Sequence, residues 1–235
     1  MGLEDALARE LRAWGASIVG FADLPSGARL GGFDKAISIA VRLSDWIIDS
    51  IAKGPTPLYY AHYNAVNTLL DQLALRATGI LQAEGYGALP IPASMREDEL
   101  GLRGAYSHKM AATLAGLGWI GKSALLVTYE FGPRVRLATV LTDAPLKGGR
   151  PVEESECGDC ESCVKACPAN AIRGALWRAG KPREELLDAH KCEAWIRANS
   201  PFGRLCGICI SVCPVGRGVR RGPNGATRAP GPGEA

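Results

Sequence analysis

The stretch CGDCESCVKACP, Cys157 to Pro168, sets four cysteines within eleven residues. Cys157, Cys160 and Cys163 are spaced two residues apart, and Cys167 follows after three more, directly before a proline. Such a run can hold one metal centre or serve two. All eight cysteines of the chain lie beyond residue 156; the others are Cys192, Cys206, Cys209 and Cys213, the last again followed by proline. Thiols clustered at short spacing point to metal and away from structural disulfides.

Three cysteines so spaced wrap a loop around one 4Fe–4S cubane and supply three of its corners. The Cys-Pro cysteine lies a step too far along and faces a neighbouring cube, as in bacterial two-cluster ferredoxins. The run therefore serves two centres. The expected ligands are Cys157, Cys160, Cys163 and Cys213 for cluster one, and Cys192, Cys206, Cys209 and Cys167 for cluster two. Cys192 replaces the first cysteine of an ordinary second run, so EAWIRANSPFGRL reads as a loop inserted between ligands. Cys167 is expected at the start of a helix introduced by its proline. Gly158 and Gly207 each follow a ligand directly, where a tight loop favours a residue without a β-carbon. The bland alternative is a pair of tetrathiolate zinc sites, but zinc favours Cys-x2-Cys knuckles over three evenly spaced cysteines and a Cys-Pro.

The chain's 235 residues suffice for one large domain with a small appendage. With 47% hydrophobic and 22% charged residues, its composition is globular. No apolar run approaches the roughly 18 residues that cross a bilayer. The opening MGLEDALARE carries acids where an export signal carries bases. A cytoplasmic protein without membrane contact is expected. The net charge of +3 resides in the tail, where Arg217, Arg220, Arg221 and Arg228 face only Glu234. The neutral body gives no reason to expect nucleic acid. Residues 217–235, rich in Gly, Pro and Arg, are expected to be disordered.

Residues 3–14 repeat apolar side chains at helical spacing up to Gly15. Segments 16–24 and 35–43 are strand-like, and Ser44 is placed to cap a helix through residue 53. The longest helical pattern covers 58–84, with an apolar face of Leu58, Val66, Leu69, Leu70, Leu73, Leu75, Ile80 and Leu81. Two prolines in GALPIPAS (87–94) suit a strand at a sheet edge. A helix over 107–116 precedes the strand-like SALLVTY and RVRLATVLT, which EFGP joins as a hairpin. The class expected is α+β: a layered domain over 1–150, leaving through the linker KGGRPVEE, then a ferredoxin-like double-cluster module over 151–216.

GLGWIGKS, Gly116 to Ser123, fits both the phosphate-binding loop and the dinucleotide fingerprint. Both need a strand before and a helix after; here the order is reversed, so no helix N-terminus faces the loop and phosphate loses its main attraction.

AGLGWIGKSALLV, LATVLTDAPL, CGDCESCVKACPANAI, LDAHKC and CGICISVCPVG occur in this order. The arrangement resembles the epoxyqueuosine reductase family and, more distantly, the respiratory reductive dehalogenases, over Leu102 to Gly216. The resemblance implies a nitroreductase-like layered sandwich that binds cobalamin, fed with electrons by the two clusters. It implies that Gly118, Trp119, Gly121, Lys122 and Ser123 lie near the corrinoid. It also implies a low-potential electron donor of ferredoxin or flavodoxin type. A flavin in the same fold is the lesser alternative. Two departures stand out: Leu102 falls near the place of the family's acidic aspartate, and the helical-repeat extension that helps to hold tRNA is missing after the clusters. The substrate, a small molecule or a tRNA, therefore stays open.

A reductase site needs a proton source, and AYSHK offers Tyr106, His108 and Lys109 just before the helix that leads into the glycine loop. For a lone histidine, a capping or surface role is as good a reading. Tyr59, His62, Tyr63 and Asn67 share helical spacing and could line a pocket, although tyrosines so placed are more often core. Trp119 could stack on a planar cofactor or plug an interface. Arg134 and Arg136 alternate on a strand and could reach a corrinoid or phosphate, or simply be exposed. Three functions fit: a corrinoid-dependent iron–sulfur reductase, an electron carrier or activator with no substrate of its own, and a true tRNA epoxyqueuosine reductase. A carrier alone leaves the large first domain unexplained.

Overall fold

Residues 2–95, 102, 104–202, 205–217, 220–221 and 227–228 are described in this computed structural model. Leu7, Ala8 and Leu11 bury one side of α1 (Leu3–Ala13), and the chain turns out of it at Gly15 with φ +109°. Next come β1 (Ile18–Asp23), β2 (Lys35–Arg42) and a short α2 (Asp45–Asp49). The Ser44 side chain does not cap α2; its backbone N–H donates instead to His62 Nε2 at 3.0 Å. That bond ties the loop to α3 (Pro57–Ala83), which Thr56 caps by accepting from Tyr59 N. Within α3, Val66, Leu70, Leu73 and Leu81 are buried, whereas Leu58 and Leu75 of the expected face are exposed. Ala74 and Ala77 take their place in the buried stripe, and such small side chains let a helix lie close on a sheet.

The main sheet is antiparallel, in the order β1-β2-β6-β3, with β3 (Ala88–Ile91) at the edge its prolines suit and β6 (Val135–Thr142) inside. β2 pairs with β6 from Lys35–Thr142 to Arg42–Val135. Side chains alternate across a strand, so Ile37, Ile39 and Val41 join Leu7, Leu11 and Leu70 in one core. Ala36 joins Leu24, Ala111 and Leu141 in another. Helices therefore cover both faces: α1 and α3 on one, α4 (His108–Leu114) on the other.

The hairpin expected from SALLVTY and RVRLATVLT does not form. β5 (Leu126–Thr128) pairs with β4 (Gly118–Ile120), and β6 enters the main sheet. A β-carbon on Gly118 would lie 2.0 Å from Val127 O, so the approach of β4 to β5 depends on that glycine. The expected linker is bonded to the first domain: Gly149 N donates to Phe21 O at 2.8 Å and Val152 N to Thr113 O at 2.9 Å.

In the cysteine-rich part, Cys167 closes α5 (Ser162–Ala166) and does not open a helix. Cys213 likewise follows α7 (Ile208–Ser211) and its C-cap Val212. The prolines after them lack the N–H that would continue a helix. The first half of the segment after Cys192 is helical and not a loop: Cys192 lies in α6 (Ala189–Asn199), capped by Asp188 accepting from Lys191 N. Most of the tail expected to be disordered lies outside the described residues; within it, β7 (Arg220–Arg221) pairs with β8 (Thr227–Arg228). Among the described residues no helix is long and apolar enough to cross a membrane.

Candidate functional site

The eight cysteines are free thiols, and their mutual electrostatics show which are neighbours. Desolvation, then the charges of Cys157, Cys213 and Cys160, push the Cys163 thiol up to about 11. For Cys192, also pushed up to about 11, desolvation is followed by Cys206, Cys167 and Glu193. Cys209 is raised by desolvation and then by Cys206, Cys192, Cys163 and Cys167. The structure thus brings together Cys157, Cys160, Cys163 and Cys213 in one neighbourhood and Cys167, Cys192, Cys206 and Cys209 in a second, which meet at Cys163 and Cys209. Thiols crowded in this way resist ionising without a cation to hold them; metal coordination removes their protons. Among the described residues no three His, Cys, Asp or Glu side chains are placed to hold a single ion.

The second neighbourhood is pressed onto the first domain. Gly207 adopts φ +88°, and a β-carbon there would come within 2.6 Å of Ile51 Cδ1 and 2.9 Å of Tyr59 Cε1. Above this junction opens a cavity of about 780 Å³, within the usual size range of cofactor sites. Cys167, Cys192, Cys206 and Cys209 line it together with Tyr106, His108, Lys109, Ser123 and Arg136.

The three expected proton donors differ. His108 has both nitrogens engaged, Nδ1 with Thr139 Oγ1 at 2.8 Å and Nε2 with Pro92 O at 3.1 Å. Desolvation drops its pKa to about 4, so the ring is neutral, Nε2–H donates to Pro92, and His108 holds the wall together. The Tyr106 hydroxyl donates to Ala28 O at 3.0 Å, and desolvation raises it to about 12. Lys109 Nζ donates to Ala124 O at 2.5 Å; desolvation, then Arg183, bring its pKa down to about 8. Of the three, Lys109 exchanges a proton most readily near neutrality.

Of the glycine-loop residues, Ser123 lines the cavity. Gly121 lies against the first cysteine neighbourhood: a β-carbon on it would be 3.5 Å from Cys157 Sγ. Lys122 is buried, and the Cys160 thiol is lowered by hydrogen bonds from Ser162 and by the Lys122 charge. Gly118 belongs to the β4–β5 contact. Trp119 meets Tyr129 edge-on at 5.4 Å, and its buried indole N–H has no partner. The loop thus lies between the first cysteine neighbourhood and the cavity, with Ser123 on the cavity side.

Arg136 is held by Asn67 Oδ1 at 2.9 Å and Ala93 O at 3.1 Å, over the Tyr63 ring. Tyr59 and Tyr63 line the cavity, while His62 serves the Ser44 loop. Arg134 is wholly buried between Asp45 and Asp49. The sequence reading missed Arg183: its Nη1 donates to Leu102 O at 2.6 Å, and no motif surrounds it.

Residues 156–216 match the 4Fe-4S double cluster binding domain family. An epoxyqueuosine reductase of Bacillus cereus is 32% identical over 128 residues, covering 49% of this chain and 31% of that protein. The tetrachloroethene reductive dehalogenase of Sulfurospirillum multivorans is 33% identical over 119 residues, covering 46% of this chain and 23% of that protein. The chain therefore spans a third or less of the length of these curated relatives. A reductive dehalogenase structure tied to B12-dependent dehalogenation superposes with a TM-score of 0.69 at 19% identity, covering 88% of this chain and 31% of that one. At that identity the likeness is one of fold.

Proposed function

From the premise that the chain is an epoxyqueuosine reductase- and reductive dehalogenase-like protein with a 4Fe–4S double cluster domain, we propose that it is a cobalamin-dependent iron–sulfur reductase. Its first domain, residues 1–150, is a nitroreductase-like sandwich, and residues 151–216 are the cluster module. Cys157, Cys160, Cys163 and Cys213 hold one cubane, and Cys167, Cys192, Cys206 and Cys209 the other. The observation that carries this reading is that the second set of cysteines lines the same cavity as Lys109, Ser123 and Arg136. Electrons leaving that cluster arrive where a proton is available.

The walls at Tyr59, Tyr63, Ser123 and Leu205 would hold cobalamin, whose broad ring faces suit the largely apolar lining. When bound, cobalamin supplies a strongly reducing metal for two-electron chemistry on the substrate. The chain's own part is different. Lys109 holds the proton at Nζ and releases it towards the cavity. His108, neutral and doubly bonded, keeps β6 and the segment at Pro92 together behind Lys109. Arg136, fixed by Asn67, presents a positive charge to the substrate. A low-potential ferredoxin or flavodoxin serves as electron donor.

Anaerobic purification, an iron and sulfide count, and addition of hydroxocobalamin test the proposal. Retention through a desalting column with a base-off spectrum is expected. Free passage with both clusters intact replaces it with the electron-carrier reading, and a flavin spectrum in the purified protein replaces cobalamin with flavin. The likeness to the Bacillus cereus enzyme favours one second reading, tRNA epoxyqueuosine reduction; retention of a tRNA anticodon stem-loop would establish it.

A further inference from the structure

Two cationic side chains meet on the wall shared by the main cavity and a smaller one of about 310 Å³. Lys109 Nζ donates to Ala124 O, which uses one of an ammonium's three donors. Arg183 donates from Nη1 to Leu102 O and from Nη2 to Glu184 Oε1 at 3.1 Å; its Nε is buried and has no acceptor among the described residues. Lys109 and Arg183 line both cavities, and the Arg183 charge adds to the desolvation that lowers the Lys109 pKa. Among the described residues lining the two cavities, Glu184 is the sole carboxylate, and its side chain is more than half exposed. Lys181, on the smaller cavity, is taken up by Leu176 O and Glu185. Cys167, Cys192, Cys206 and Cys209 line the main cavity but not the smaller one.

The bland reading is that Lys109 pins the β4–β5 turn and Arg183 pins Leu102. It accounts for the bonds to Ala124 O and Leu102 O, and Glu184 takes a second Arg183 donor; the buried Arg183 Nε–H is left without an acceptor among the described residues. A ligand that displaces water there must bring acceptors, because a donor left without one costs about 1–3 kcal/mol. Around these cations the lining is mostly aliphatic and aromatic, including Leu126, Leu187, Ile120 and Trp177.

We propose that Lys109 and Arg183 form an oxyanion subsite that takes the carboxylate or phosphate of an otherwise apolar ligand. The subsite itself needs no corrinoid; only the identity of the molecule that brings the oxyanion rests on the reductase reading. An oxyanion in this place also favours the ammonium form of Lys109, keeping its proton available for delivery into the cavity.

The test is calorimetric titration of sulfate into iron-loaded, cobalamin-free protein, with ionic strength held constant by chloride. One saturable site is expected. R183Q should weaken it at least ~10-fold, the scale of one charge-assisted hydrogen bond, with R183K in between. K109M should weaken it too, with R183Q as the control should K109M fold poorly. Unchanged iron content and melting in R183Q separate a binding role from a structural one. Absence of saturable binding, or equal binding by R183Q, K109M and the unmodified protein, overturns the proposal. Repeating the titration after loading with hydroxocobalamin identifies the source. Lost sulfate binding assigns the subsite to the cofactor's own phosphodiester; retained binding assigns it to the substrate. If hydroxocobalamin does not bind, the sulfate result stands by itself.

Discussion

The two cysteine neighbourhoods share their ligand chemistry and differ in everything around it. In the first, Cys160 is exposed and the buried Lys122 supplies a positive charge beside it. In the second, the loop at Gly207 is wedged against Tyr59 and Ile51, and all four cysteines line the cavity. One neighbourhood therefore has a thiol open to solvent, and the other lines the cavity. Two like sets of thiols acquire different surroundings through what is packed against them.

The largest effects should come from removing one ligand on either side. C160S and C209S should each lose one cluster and keep the other, with iron falling to about half of the intact protein's content. On the proposed function they should differ in what survives: C209S retains a reducible cluster that no longer reduces cobalamin added to the cavity, and C160S retains the cavity-side cluster but accepts electrons slowly. Iron counts with electron paramagnetic resonance check both. Loss of both clusters in both variants would mean that the neighbourhoods form one cooperative unit and the division of labour fails.

G207A sharpens the same contrast without touching a thiol. The positive φ and the closeness of Ile51 and Tyr59 leave a methyl group no room. Backbone strain and overpacking together should cost about 2–4 kcal/mol. G158A is the partner experiment. Gly158 has φ +49° but open space around its β-carbon position, so strain alone, about 1 kcal/mol, is expected. Melting temperatures of the two variants, with iron content, measure the difference. Equal losses would show that the second loop is no more tightly held than the first.

What the sequence made legible divides along similar lines. Short spacing told of the double-cluster domain because three cysteines at x2 intervals and a Cys-Pro constrain a loop locally. It did not tell that Cys167 and Cys213 end helices, or that Cys192 sits inside one, since both depend on what the segments pack against. The antiparallel sheet was foreseen in class, yet the partner of β6 was misread, because alternation reports a strand's buried faces and not its neighbours. The glycine loop was singled out by motif, but its side towards Cys157 follows from the close approach of Gly118 to Val127. Arg183 carried no signal at all: an arginine in PREELLD is an ordinary surface residue until Lys109, from a distant helix, is brought beside it.

The smallest expected effect concerns acid and the wall on the cavity side. His108 titrates near 4 in the folded protein against an ordinary 6.5, because its protonated form is desolvated. Its contribution is therefore fully present above about pH 6.5, where both folded and unfolded chains hold it neutral. As pH falls, the unfolded chain takes up the proton first, and stability declines until the folded pKa is passed near 4. The span corresponds to at most about 3 kcal/mol, less once solvent reaching this partly exposed ring is allowed for. H108Q keeps a donor for Pro92 and an acceptor for Thr139 but cannot titrate. Its melting temperature should be somewhat lower near neutrality and fall less between pH 6.5 and 4 than that of the unmodified protein. Cluster-one signals should be the same in both across this range, since His108 belongs to the cavity wall and not to that neighbourhood. A parallel acid decline in H108Q would move the cause to the carboxylates, such as Asp45 and Asp49 around Arg134, and with it the weak point from the cavity to the core beneath α2.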